Sequence, residues 1–160
     1  MPTLAPEILR VLDIGASAIQ DWTGLPARAN VGSEFRYSPP PLDAKTLVIA
    51  VTQSGETADT IAPVRLARQR GCPVIAAITR VADAVLFLQA GPEVAVAASK
   101  TFVTQVTTLV ILAAAIAKIR GSMSEESEME LGAALRALPA AAARTLEHAA
   151  GGSEALARRY

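Results

Sequence analysis

Two short apolar runs, TLVIAV at residues 46–51 and PVIAAI at 73–78, bracket a polar turn and a helix-like stretch. This spacing restricts the fold more than any other feature of the chain. Neither run alternates cleanly and both are rich in β-branched residues, as expected for parallel strands covered on both faces. AVLFLQA, residues 84–90, reads as a third strand. Between the first two, Ile61, Val64, Leu66 and Ala67 form an approximate helical stripe. Arg65, Arg68 and Arg70 enrich the end of that helix, and Gly71 can cap it. Pro63 falls early, where a missing amide hydrogen matters less. Strand, helix and strand at this spacing predict a βαβ unit with a right-handed crossover, and so an α/β fold.

The first strand runs directly into TQSGET. A parallel strand delivers its carboxyl end to the crevice where open α/β sheets bind ligands. The next helix opens within a few residues, so its free amides face that crevice. Thr52, Ser54 and Thr57 add three hydroxyls, Gln53 adds an amide, and Gly55 allows a tight turn with close backbone approach. These are neutral donors suited to an oxyanion. The loop holds neither a GxxxxGK[ST] nor a GxGxxG pattern, so a phosphomonoester fits better than a nucleotide. Simple capping by Thr57 is the competing reading; it accounts for one hydroxyl and leaves the others without a reason.

Composition excludes several functions. With 15 basic and 15 acidic residues among 160, the chain lacks the footprint of a nucleic-acid binder, and nothing in it suggests an anionic membrane surface. Cys72 is the only cysteine, so no internal disulfide or multi-cysteine cluster can form. Between Gly71 and Pro73, ahead of an apolar run, it reads as a buried structural thiol. His148 is the only histidine and reads as surface, so neither a histidine zinc site nor a Ser-His-Asp triad can assemble within one chain. No metal and no cofactor are expected. The N-terminus lacks the basic start and long apolar core of a signal peptide. The most apolar stretch, residues 101–117, reads as a helix buried within the protein, shorter than the usual membrane span. A cytoplasmic protein is expected.

Elsewhere, Pro39, Pro40 and Pro41 form a stiff connection, and an edge strand is expected near residues 27–31. After residue 98 the pattern is helical: one helix over about 98–120 ended by Gly121, then another opened by Ser124 with Glu126 and Ser127. That second helix is expected to break or kink at Pro139, and Gly151 and Gly152 to loosen the tail. A helix as apolar as 101–117 must be covered on most faces, which predicts a dimer or a larger assembly.

SEFRY at 33–37, TQSGETADT at 52–60 and GPEVAVAASKTFVTQ at 91–105 resemble the isomerase half of the glutamine–fructose-6-phosphate aminotransferase family, which is built from two sugar isomerase (SIS) domains. The resemblance covers about residues 22–120. It implies a three-layer α/β/α sandwich around a five-stranded parallel sheet of the flavodoxin-like nucleotide-binding type. Residues 1–122 would be the first SIS domain and 123–160 a helical linker or tail. It implies that Thr52, Gln53, Ser54, Gly55 and Thr57 hold the phosphate of fructose 6-phosphate or glucosamine 6-phosphate. Val96 and Ala98 would line the sugar pocket through the backbone, beside Ser99. Ala98 and Ser99 stand where the family has serine and threonine. Glu34 and Arg36, opposite charges two apart on a segment that reads as extended and near a family subunit contact, read as structural. Glu56 has an electrostatic reason to sit at a helix N-terminus, and Lys100 reads as an ion-pair partner early in its helix.

The family also runs a strand into CGTS. The nearest counterpart is VLDIGAS, residues 11–17, with Gly15 and Ser17 in matching places; a helix over 6–20 is the alternative. No stretch resembles the second SIS domain, which carries the family's isomerisation base, ring-opening histidine and imine-forming lysine, and no catalytic residue is assigned here. The expected function is phosphosugar binding as the first half of a synthase-like aminotransferase and isomerase. The alternative is a non-catalytic or regulatory phosphosugar-binding SIS protein.

Overall fold

The computed structural model describes residues 6–52, 58–76, 82–88, 90–91 and 99–158. In chain order the elements are helix α1 (Pro6–Thr23), helix α2 (Gly32–Tyr37), strand β1 (Val48–Ala50), helix α3 (Ala58–Gln69), strand β2 (Val74–Ala76), strand β3 (Ala84–Val85), helix α4 (Ser99–Arg120) and helix α5 (Glu125–Ala157). Among the described residues the sheet is parallel and ordered β1-β2-β3.

The βαβ unit forms where the apolar runs place it. β1 and β2 carry the same tripeptide, Val-Ile-Ala, paired in register: Val48 with Val74, Ile49 with Ile75, Ala50 with Ala76. α3 packs on both strands. Its Val64 and Ala67 join Cys72, Val74 and Ala76 in one buried cluster. Burying a valine such as Val64 or Val74 contributes about 1.5–3 kcal/mol. Gly71, at φ +81°, ends α3: its N–H donates to Arg68 O at 2.9 Å, and Cys72 N–H to Ala67 O at 3.0 Å. A left-handed residue here is the ordinary helix stop. β3 is shorter than expected, and Leu86 and Phe87 beyond it are exposed. It is fastened to β2 by Asp83, whose N–H donates to Val74 O at 2.9 Å while its Oδ2 accepts the Val74 N–H at 2.8 Å.

A second packing unit joins α1 to α4. α4 buries Thr101, Gln105, Leu109, Ala113 and Ala117, every fourth residue along one stripe. Its threonines return their hydroxyls to the helix backbone, Thr104 Oγ1 to Lys100 O and Thr107 Oγ1 to Val103 O, so polar residues are tolerated in an apolar helix. The carboxyl ends of the two helices are tied: Arg120 Nε donates to Thr23 O at 3.2 Å and Ser122 Oγ to Trp22 O at 2.7 Å. At 22 residues α4 matches the helix expected over about 98–120, and by length and composition alone it could cross a membrane. Val103, Ile111 and Ile119 are exposed, so α4 is not buried on all faces as expected.

Four expectations are corrected. Residues 11–17 are not a strand; they lie within α1, the alternative reading. Gly15 lies inside that helix, where its missing Cβ lets Leu109 of α4 approach. Residues 27–31 form no strand, and SEFRY is helical rather than extended, because Phe35 buries on a short helix packed against α3. α5 is a single helix from Glu125 to Ala157, so Pro139 does not break it and Gly151–Gly152 lie within it. Proline costs a helix interior about 3 kcal/mol, but here four alanines, the best helix formers, follow it. Ser124 starts that helix as expected, its Oγ accepting the Ser127 N–H at 3.1 Å.

Candidate phosphosugar site

Thr52 stands just past the carboxyl end of β1 and is buried, at 8% exposure. α3 begins six residues later, at Ala58. Five residues therefore separate the last described residue after a parallel strand from a helix whose N-terminus presents a positive dipole end, which favours an anion. Gln53, Ser54, Gly55, Glu56 and Thr57 lie outside the described residues, as do Val96 and Ala98.

Ser99 is the first residue of α4 and is exposed, with exposed Lys100 beside it. Ser17 lies on the exposed side of α1. The structure does not bring it to Thr52: the α1 residues that face the cavity next to Thr52 are Leu12, Gly15, Ala16 and Ile19. Helical rotation from Gly15 turns Ser17 outward.

That cavity has a volume of about 850 Å³ and reaches both Thr52 and Thr60. Thr60, in the first turn of α3, is not among the site residues expected from the sequence. The available signal was a second threonine three residues after Thr57, one helical turn further along the same face.

Glu34 and Arg36 do not form an extended charged pair. Arg36 lies over the Tyr37 ring, 5.4 Å from its centroid, and both belong to α2. Cys72 is buried, and its Sγ donates to Asp43 O at 3.1 Å, linking the segments that lead into β1 and β2. Burial, and then the Asp43 carboxylate, push its thiol above the ordinary value. A raised thiol is a poor nucleophile, which agrees with a structural role. His148 is exposed on α5.

The model of the SIS domain matches residues 13–115. The chain belongs to the SIS-domain family. Within that family it is related to the isomerase region of glutamine–fructose-6-phosphate aminotransferases. It is 44% identical over 137 residues to the enzyme of that name from Mycolicibacterium paratuberculosis, covering 81% of this chain and 22% of the relative. It is 45% identical over 116 residues to that of Streptomyces coelicolor, covering 68% of this chain and 19% of the relative. The chain thus spans about a fifth of the length of these curated relatives. The C-terminal domain of glucosamine-fructose-6-phosphate aminotransferase from Francisella tularensis has the same fold, with a TM-score of 0.79 at 24% identity, over 85% of this chain and 41% of that one.

Proposed function

We propose that this SIS domain binds a hexose phosphate, fructose 6-phosphate or glucosamine 6-phosphate. The phosphate is held by the hydroxyls of Thr52, Ser54 and Thr57, the amide of Gln53, and the backbone at Gly55 with the N-terminus of α3. The sugar extends toward Val96, Ala98 and Ser99. One observation carries this reading: a buried threonine ends a parallel strand six residues before a helix N-terminus, in a chain of a sugar isomerase family. The site's chemistry is charge compensation by neutral donors in a partly dry crevice, where such hydrogen bonds to an anion are about twice as strong as neutral ones.

The larger reading is the first half of a synthase-like enzyme acting on fructose 6-phosphate. Moving a proton between C1 and C2 needs a positioned acid or base, and opening the ring needs another. The single histidine, exposed on α5 at position 148, is poorly placed for either. That favours, as the second reading, a binding module whose catalytic groups come from elsewhere or are not used. The exposed Val103, Ile111 and Ile119 of α4 support a dimer or larger assembly. A cytoplasmic location fits both readings.

Titration calorimetry with both phosphosugars, beside inorganic phosphate and glucose, tests the proposal. Sugar-dependent binding that phosphate alone does not reproduce supports it; equal or absent heats for all four reject it. Incubation with fructose 6-phosphate, followed by NMR for the aldose product, separates the two readings. Sedimentation at micromolar concentration tests the assembly, and a monomer contradicts it.

A further inference from the structure

α5 runs from Glu125 to Ala157, yet among the described residues it packs along no other element. Residues 121–124 join it to α4, and at that root Lys118 Nζ meets Glu128 Oε1 at 2.6 Å. Gly121, at φ +69°, ends α4 there. A helix of 33 residues is about 50 Å long, and its alanines keep it helical without much packing. One apolar row runs along it. Ala134, Leu138, Ala142, Leu146 and Ala150 follow at every fourth position, and all five are exposed. Leu138 and Leu146 are 48% and 71% exposed.

α4 carries a matching row: Val103, Thr107, Ile111, Ala115 and Ile119, also at every fourth position. Each lies two positions after a member of the buried stripe, a rotation of about 200° that turns it away from α1. Thr107 is half-buried and the other four are exposed. Both rows have the same length, about 24 Å at about 1.5 Å per residue. Such rows are the ridges that interlock in the commonest class of helix packing. Laid antiparallel with Ile111 against Ala142, the rows set Ala115 against Leu138, Ile119 against Ala134, Thr107 against Leu146 and Val103 against Ala150. A larger side chain meets a smaller one at every level, which suits interdigitation. Charge selects the partners. α4 holds Lys100, Lys118 and Arg120 with no acidic residue, a charge of +3, whereas α5 holds six glutamates against two arginines, a charge of −4. Pairing α4 with α4, or α5 with α5, would set like charges together. The antiparallel register brings Lys118 and Arg120 to the end of α5 that carries Glu125, Glu126, Glu128 and Glu130.

We propose that α5 of a second copy of this chain packs antiparallel on the exposed row of α4, and that the exchange is reciprocal. Within one chain α4 and α5 do not pack along each other, so each copy offers one uncovered row of each charge. A reciprocal exchange covers both rows in both copies and closes the dimer about a two-fold axis. The inference names the contact surface of the assembly proposed above and rests on that assembly. It does not depend on phosphosugar binding.

The test uses the full chain in a Cys72→Ala background, with one cysteine introduced as Ile111→Cys, Ala142→Cys or Ala140→Cys. Ala140 is exposed but lies off the row. Proteins carrying different tags are mixed in pairs, oxidised and read by mass spectrometry, with sedimentation of the parent chain alongside. Disulfides between copies are expected to join positions 111 and 142 about tenfold or more in excess of 111 and 140, because the bond tolerates little error in geometry. The parent dimer should weaken by about tenfold toward about 1 M salt, where the screening length falls to about 3 Å. A dimer that tightens with salt, or cross-links that mainly join position 111 to position 111, would overturn the proposal in favour of α4 on α4. Cross-linking of Ile111→Cys/Ala142→Cys within one chain would overturn it in favour of the chain's own α5. A dimer without the 111–142 link would overturn this pairing and leave the assembly standing. A monomer would contradict the assembly and this surface with it.

Discussion

Leu109 of α4 approaches Gly15 of α1 so closely that a Cβ on the glycine would stand 2.6 Å from Leu109 Cδ1 and 3.2 Å from its Cβ. Glycine costs a helix interior about 1 kcal/mol relative to alanine, so it is kept here for the approach of two helices. Gly15→Ala would gain that propensity but overpack the contact, at a cost of about 1–3 kcal/mol. The expected net result is a loss of about 1 kcal/mol in urea denaturation. Leu109→Val in the Gly15→Ala background should recover part of the loss. A Gly15→Ala protein more stable than the parent would contradict the packing of α1 on α4.

Asp83 links β3 to β2 through the Val74 N–H and also pairs with Arg68, Nη2 to Oδ1 at 3.1 Å. The two roles differ in magnitude. The ion pair is close to half-exposed on both sides and should contribute below about 1 kcal/mol. Asp83→Ala leaves the Val74 amide without its acceptor and should cost about 1–3 kcal/mol. Arg68→Ala should cost clearly less. Equal losses for the two variants in parallel denaturant melts would mean that the hydrogen bond to Val74 is not the important part.

Cys72 sets a pH dependence. Its thiol is raised from an ordinary value of 9.0, first by burial and then by Asp43. Above the unfolded-state value the unfolded chain has lost a proton that the folded chain keeps. Stability then falls as pH rises, by up to about 1.4 kcal/mol per pH unit. Below that value the thiol is protonated in both states and contributes no slope. Chemical melts between about pH 8 and pH 10 should therefore show a steeper decline for the parent than for Cys72→Ala. Parallel declines would contradict a buried thiol at this position.

The βαβ unit was legible because its signals agree. The two Val-Ile-Ala runs, the Val64 and Ala67 stripe and the Gly71 stop all specify the same local structure. Residues 6–23 were harder to read. Gly15 and Ser17 match places in the family's CGTS, and only the arrival of Leu109, 94 residues later in the chain, reveals a contact glycine. Residues 27–31 have strand character but, among the described residues, no strand to pair with, so their pattern was misleading. SEFRY reads as extended until α3 supplies a surface for Phe35. At the site, the position of Thr52 followed from the strand that precedes it. Thr60 was undervalued because its part in the cavity depends on where the first turn of α3 points.

The central claim is that the loop opening at Thr52 holds a phosphosugar, and Thr52 tests it most directly among the described residues. Calorimetric titration of fructose 6-phosphate into the parent, Thr52→Ser and Thr52→Val is the decisive measurement. Serine keeps the hydroxyl and should bind within a few-fold of the parent. Valine keeps the shape and loses the donor to an anion, a hydrogen bond of about 1.5–3 kcal/mol, so binding should weaken by about tenfold or more. Equal affinity for all three proteins, or no binding to the parent, would contradict the account.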